Sequence, residues 1–261
     1  MLTTLIKQEL YKISKRKTTY ILPIITILFM FLAAIMIKNV SESGDTAIDS
    51  AAYFVDLYSG LTWVVYLMIF AGSTIITQEF EFGTIKNLLY RKYSRTEILI
   101  SKWMTLLIMN ICYFVMTIIV AVFLKFIFYP DVTFDMTINN HSLFSAMLMN
   151  VLGNFLVTWI VLSLVLMIST LFKNSAVSVS VGIVFYFGAS VLSMFQTLAI
   201  QKWDWLKWNP LNMLNVGRQV QSPEMHQMTQ LSTNSMIIAS FVYIIIFLAI
   251  GYYAFRSRKN I

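Results

Sequence analysis

Between two apolar runs lies QEFEFGTIKNLLYRKYSRTEILISKW, residues 78–103, where acids, bases and a glycine crowd into one connection. Gly83 and Thr84 punctuate it, and Thr84 can cap a short helix over residues 85–90. Ile85, Leu88 and Leu89 would share one face of that helix. Arg91 and Lys92 fall at its C-terminal end, where positive charge meets the helix dipole favourably. Ser94 and Glu97 then have capping-box spacing in front of an apolar run that starts at Ile98. The connection therefore reads as a short amphipathic helix, a break and a defined restart. An apolar face of this kind is costly in water, so it either rests on a membrane or enters a pocket in a partner, and periodicity does not choose between the two.

Elsewhere the chain offers little for covalent chemistry. No G-x-x-x-x-G-K-[ST] phosphate loop occurs, and no nucleophile, base and orienting acid assemble within the apolar runs, which makes an intramembrane hydrolase a weak reading. His141 and His226 are the two histidines, with no acidic or thiol cluster at ligand spacing, so no metal site is expected. The single cysteine, Cys112, allows no intramolecular disulfide and reads as a small buried side chain in an apolar run. Asn150, Gly153 and Asn154 form a polar, small patch at helical spacing that should face other helices or a second protomer, as an interhelical hydrogen bond or as a substrate contact. Ala176 with Ser180, and Ser178 with Gly182, have small-xxx-small spacing that Gly188 extends. Lys125 is either a pathway charge or a side chain that snorkels to the outer surface.

The elements that must position these residues are membrane spans. Hydrophobic residues make up 58% of the 261 and charged residues 12%, with a mean hydropathy of +0.74; a soluble domain carries roughly twice that charge. Runs near the spanning length of about 20 residues occupy residues 20–37, 61–77, 98–129, 143–172, 176–200 and 235–255. The expected fold is thus an all-α membrane protein, one transmembrane domain over residues 1–261, with both termini on one side. The third and fourth runs exceed the need and should tilt or extend beyond the hydrocarbon. The first run is of spanning length and lacks a convincing cleavage site, so it reads as a retained span rather than a signal peptide.

Of the 19 lysines and arginines, all but Lys38, Lys125, Lys202, Lys207 and Arg218 fall on the face holding the N-terminus, residues 78–97, the connection after the fourth run and the C-terminus. The positive-inside rule makes that face cytoplasmic. The formal charge of +7 is therefore topological, and nucleic acid is not an expected partner because the bases flank apolar runs instead of gathering on one folded face. Within residues 1–19, Leu2, Leu5, Ile6, Leu10 and Ile13 lie on one helical stripe, with Lys7, Gln8, Lys12 and Ser14 away from it. This is an amphipathic helix at the inner surface of the bilayer, or else a basic juxtamembrane tail. Trp203, Trp205 and Trp208 suit an interfacial belt at the start of an outer loop, residues 201–234, long enough to hold short re-entrant or interfacial helices.

The string EFEFGTIKNLL followed by SRTEILISK is similar to the signature of permease subunits of ATP-binding-cassette type 2 (ABC-2) exporters. It matches at Glu79, Glu81, Gly83, Thr84, Leu88, Leu89, Ser94, Arg95 and Lys102; it departs at Tyr93, where many members have Pro, and at Ser101, where they have Gly. The motif covers about a tenth of the chain, and six spans with a long last outer loop also fit. The resemblance implies that Glu79, Phe80, Glu81, Phe82, Gly83, Thr84, Ile85, Lys86, Leu88 and Leu89 form a coupling helix that docks into a separate ATPase subunit. ATP and Mg would bind that partner and no cofactor this chain. It further implies a second permease protomer, identical or not, and spans 2 and 5 lining the central interface and export path, with Asn150, Asn154, Ser178 and Gly182 as candidates there; ordinary packing within one subunit explains the last two equally well.

The resulting expectation is a plasma-membrane export permease, not itself an enzyme, that moves an amphipathic or hydrophobic substrate outward. Small permeases of this sort resemble those for export of, or immunity to, membrane-active peptides such as bacteriocins, lantibiotics, bacitracin-type antibiotics and phenol-soluble modulins. Two alternatives stand: a peptide-binding sensor or immunity protein that does not transport, and an exporter of ions or small drugs, the former ion reading being lowered by the lack of a mid-span acid.

Overall fold

In a lipid environment backbone N–H and C=O groups must be satisfied within the chain, and helices do this segment by segment. The computed structural model, which describes residues 2–41, 46–83, 93–138, 141–172 and 174–257, is accordingly almost all helix. Helix α1 spans Leu2–Ser14, α2 Thr18–Ser41, α3 Thr46–Val55, α4 Gly60–Glu81, α5 Arg95–Phe128, α6 Leu143–Leu171 and α7 Ser175–Lys202. Short helices α8 (Pro210–Met213), α9 (Val216–Gln221) and α10 (His226–Thr229) precede α11, Thr233–Ser257. A two-residue antiparallel pair, Thr137–Ile138 with His141–Ser142, leads into α6. Among the described residues six helices, α2, α4, α5, α6, α7 and α11, are long and apolar enough to cross a membrane.

Helix α6 is the hub, packed against α4, α7, α9 and α11, while α4 lies between α2, α5, α6 and α7. Hydroxyls on these spans bond back to carbonyls of their own helix, Thr77 to Ser73 at 2.6 Å, Thr105 to Ser101 at 2.8 Å and Ser169 to Val165 at 2.8 Å, so small polar residues cost little at depth. The outer flanks are greasy: Ile24 and Leu28 on α2, Ile119 and Phe123 on α5, Val184 and Phe187 on α7, and Ile245 on α11 are exposed. A surface of that kind is stable where the surrounding solvent is hydrocarbon.

Three consecutive left-handed residues, Leu57, Tyr58 and Ser59, with φ between 50° and 60°, make the joint from α3 into α4. Such conformations cost of order 1–3 kcal/mol each and persist where the surroundings overdetermine them. Here Leu57 and Tyr58 are buried, and Tyr58 stacks on Tyr129 with ring centroids 6.0 Å apart.

Two sequence expectations are corrected. Cys112 is exposed, not buried, because a span's outward face needs no polar cover in lipid and an apolar run supplies both faces. Lys125 does not snorkel: it is buried, with its ammonium over the rings of Phe126 at 4.5 Å and Phe134 at 5.0 Å. Phe134 comes from the connection after α5, so the lysine is capped by aromatic faces before it reaches the surface. The segment after α7 does hold short helices, and Trp203, Trp205 and Trp208 are exposed on it.

Candidate functional site

Helix α1 does more than lie on a surface. Its inward stripe is Leu5, Glu9 and Ile13, three residues at i, i+4 and i+8, and it packs on the start of α5. Glu9 is only 5% exposed and meets Lys102, 1% exposed, from the second turn of α5 and Glu79, 6% exposed, from the last turn of α4. Lys102 Nζ stands 2.8 Å from Glu79 Oε1 and 3.3 Å from Glu9 Oε2, and it donates to the Ile75 carbonyl at 3.0 Å. Lys12 closes the group from the more exposed side, 3.0 Å from both Glu9 Oε1 and Glu79 Oε1. Two acids and two bases leave no net charge, which is the condition for keeping ions out of water without a large penalty. Three elements distant in sequence are thereby locked at one point.

Burial pushes the Glu9 carboxyl up, but Lys102 and Lys12 outweigh it and hold the group below its ordinary value of 4.5. Burial likewise pulls Lys12 down, and Glu79 and Glu9 overcome it, leaving the ammonium above its ordinary 10.5. A carboxylate so held contributes stability present above its unfolded value and lost as pH falls through the folded one; a raised ammonium contributes stability present below its unfolded value and lost as pH rises through the folded one. The melting temperature in detergent should therefore be level between about pH 5.5 and about pH 9.5, fall below about pH 4.5, and fall again above about pH 10.5. Lys12→Met should move the acid fall to higher pH and shrink the alkaline one; an unchanged profile in that variant would remove Lys12 from the lock.

Just beyond the lock α4 ends. Phe82 N–H bonds to the Gln78 carbonyl at 2.9 Å and Gly83 N–H to that of Phe80 at 3.2 Å, with Gly83 at φ +64°. Among the described residues no atom lies within 4 Å of where a Gly83 Cβ would sit, and the positive φ of the helix stop is what calls for glycine there. The neighbouring motif residues have separate tasks. Phe80 packs edge-on against Phe255 of α11, centroids 6.1 Å apart. Glu81 Oε1 accepts from Ser175 N–H at 3.2 Å and Ser175 Oγ at 3.0 Å, an anion at the N-terminus of α7. Phe82 is 75% exposed. Thr84, Ile85, Lys86, Leu88 and Leu89 lie outside the described residues, as does the expected helix over 85–90.

The chain resumes at a full capping box: Ser94 Oγ accepts from Glu97 N–H at 3.1 Å, and Glu97 Oε2 accepts from Ser94 N–H at 2.9 Å. Arg95 donates to the Arg256 carbonyl at 3.0 Å, and Thr96 meets the Tyr252 hydroxyl at 3.1 Å. Both ends of the connection are thus tied to other helices: its start to α1, α5, α7 and α11, its end to α11.

The other candidate residues sit elsewhere. Asn150 donates to the Val55 carbonyl and accepts from Gln221 at 2.9 Å, while Asn154 donates to both the carbonyl and the side-chain oxygen of Asn150. This amide network joins α6 to the end of α3 and to α9, at the opposite end of the bundle from the charge lock. Gly182 fits against Val165 and Ile69, where an added Cβ would come within 2.6 Å and 2.8 Å of their side chains, and Ser178 is buried with its hydroxyl directed at the Asn174 carbonyl at 3.4 Å. Gly182 thus packs within the subunit, whereas among the described residues nothing lies within 4 Å of where a Gly188 Cβ would sit.

Glu9 is the residue that sequence reasoning passed over, and Lys12 and Lys102 were legible only as a base off the apolar stripe and a motif lysine. The available signal was Glu9 itself, an acid midway between Leu5 and Ile13 on the stripe meant to be apolar. Such a residue needs a cation, and one at the foot of a span was present.

Residues 5–190 match the family described as ABC-2 family transporter protein. Among curated proteins the chain is 27% identical over 247 residues to the "Uncharacterized membrane protein YdbK" of Bacillus subtilis, covering 95% of this chain and 98% of that one. It is 27% identical over 228 residues to the "Uncharacterized protein YhcI" of the same organism, covering 82% and 70%. With six apolar helices and a match over most of its length, this protein belongs to the ABC-2 transporter family, as a membrane-embedded permease component that works with an ABC ATPase.

Proposed function

We propose that the chain is the permease subunit of an exporter that moves an amphipathic or hydrophobic substrate, a membrane-active peptide in the first instance, outward across the plasma membrane. In this reading both termini and residues 78–97 are cytoplasmic, the stretch from Glu79 to Leu89 receives a separate ATPase subunit, and two permease protomers complete the transporter. ATP and Mg belong to the ATPase. The observation that carries the proposal is the buried Glu9–Lys12–Glu79–Lys102 lock immediately before the Gly83 helix stop. A connection that merely rested on lipid would not need its root fastened to three helices by desolvated charge; a lever moved by a partner does. Ion export is disfavoured because the buried acids Glu9 and Glu79 are already matched by lysines at one end of the bundle.

The test is affinity purification of the tagged full-length protein in mild detergent, with identification and ATPase assay of co-purifying chains. An ATPase subunit should accompany the wild type. Gly83→Pro cannot adopt φ near +64°, since proline is fixed near −65°, and should lose the ATPase while the permease still melts cooperatively. Wild-type protein that purifies alone and retains its cellular function would replace export with the non-transporting sensor or immunity reading.

A further inference from the structure

Two cavities adjoin at the end of the bundle opposite α1. One, of about 220 Å³, is polar and is lined by Asp56, Asn154, Gln221 and Arg218 among others. The second, of about 520 Å³, is lined largely by apolar groups, with Leu198 of α7 and Met225 and Met228 of the segment before α11. Arg218 and Asn215 line both, so these two residues border the junction. Leu198 is 61% exposed and Met228 53% exposed, which leaves the apolar cavity open toward the lipid-facing flank of α7. Asn150, on the amide network bordering the polar cavity, is seven residues from the start of α6, roughly 10 Å along the helix. The polar cavity therefore lies near the depth where lipid headgroups give way to chains.

The charges have an order. From the flank inward come an apolar pocket, a cation at Arg218 and an anion at Asp56. Among the described residues Arg218 has no ion pair, and Asp56 is hydrogen-bonded by Ser59 at 3.1 Å but paired with no lysine or arginine at contact distance. A ligand complementary to that order carries an apolar chain, then an anionic group, then a terminal cation. We propose that the two cavities form one binding site for a zwitterionic lipid of the phosphatidylethanolamine class. The acyl chain lies against Leu198, Met225 and Met228, the phosphate meets Arg218, and the ammonium meets Asp56. An anionic lipid without the ammonium would bring no cation into contact with Asp56, whose charge Arg218 balances only from beyond contact distance, so the site favours the zwitterion. In the orientation proposed above this end of the bundle faces the outer leaflet, and only that assignment rests on the proposed function.

The test uses the purified full-length chain in maltoside detergent with an acyl-chain fluorescent phosphatidylethanolamine as probe, competed by unlabelled phosphatidylethanolamine or phosphatidylglycerol. Phosphatidylethanolamine should compete at about tenfold lower concentration than phosphatidylglycerol. Asp56→Asn should abolish that preference while retaining binding, and Arg218→Gln should weaken both lipids by about tenfold or more, with Arg218→Lys restoring much of the loss. Melting curves of each variant identify misfolding, and Met228→Trp, which takes up space in the apolar cavity and removes no charged group, should reduce binding of both lipids equally. Equal competition by the two lipids on the wild type, or a headgroup preference that survives Asp56→Asn, would overturn the proposal. So would displacement by a cationic amphipathic peptide but not by either lipid. Because the assay needs neither ATPase nor transport, its failure leaves the export reading untouched.

Discussion

Replacing Lys102 with methionine should destabilise the detergent-solubilised protein by about 3–5 kcal/mol, the range for removing one partner from a buried ion pair. Methionine keeps most of the side-chain volume, so the loss would come from charge. Glu9 and Glu79 would face each other across a site where Lys12, on the more exposed side, is the remaining cation. The Ile75 carbonyl would also lose its extra donor. The double variant Lys102→Met with Glu79→Gln removes charge in a pair, and most of the stability should return. Among the described residues Glu79 Oε2 is buried without a hydrogen-bond partner, so an amide nitrogen at that position breaks no existing bond. Thermal unfolding of the four proteins of this cycle gives the coupling directly. A single Lys102→Met variant that melts with the wild type would mean that the four charges do not fasten α1 to the spans, and the mechanical argument for the connection at Gly83 would fall with it.

Gly153→Ala should cost about 1–3 kcal/mol, as overpacking does in a close-packed core, whereas Gly217→Ala should stay within about 1 kcal/mol of wild type. The asymmetry follows from where each Cβ would go. At Gly153 it would lie 2.7 Å from the Gly217 Cα and 3.0 Å from its carbonyl oxygen, and backbone cannot swing aside as a side chain can. At Gly217 its nearest neighbours would be a Val157 methyl at 3.3 Å and the Gly153 carbonyl carbon at 3.4 Å, distances that small shifts relieve. Moving α9 off α6 would also pull Gln221 from Asn150 and spread the polar cavity, so the glycine bears on the outer site as well as on stability. Equal melting temperatures for the two variants would show that α9 is not held by this crossing. Such glycines in spans serve close approach of backbones, for which no other residue leaves room.

The amide network shows how chemistry and placement divide. Asn150 and Asn154, one turn apart on an apolar helix, announce that some partner must exist, since an unpaired amide in hydrocarbon is costly. The partners, the carbonyl of Val55 and the side chain of Gln221, lie 95 and 71 residues away along the chain, and no local pattern names them. Glu81, which the resemblance assigns to the coupling stretch, also accepts from Ser175 at the N-terminus of α7, 94 residues along the chain, a partner that no local pattern names. Lys125, read from the sequence as a pathway charge or a snorkelling side chain, is covered by Phe134 from a connection whose course only the fold decides.

By itself the sequence determined the six spans, the capping box at Ser94 and Glu97, and the glycine stop at residue 83. Each depends on interactions within about one helical turn or on the cost of putting charge into hydrocarbon, and both are written in local composition. Tertiary structure decided which buried charges meet. Glu9, Glu79 and Lys102 stand on three helices, and whether they neutralise or repel one another depends on distances set by packing between segments that are far apart along the chain.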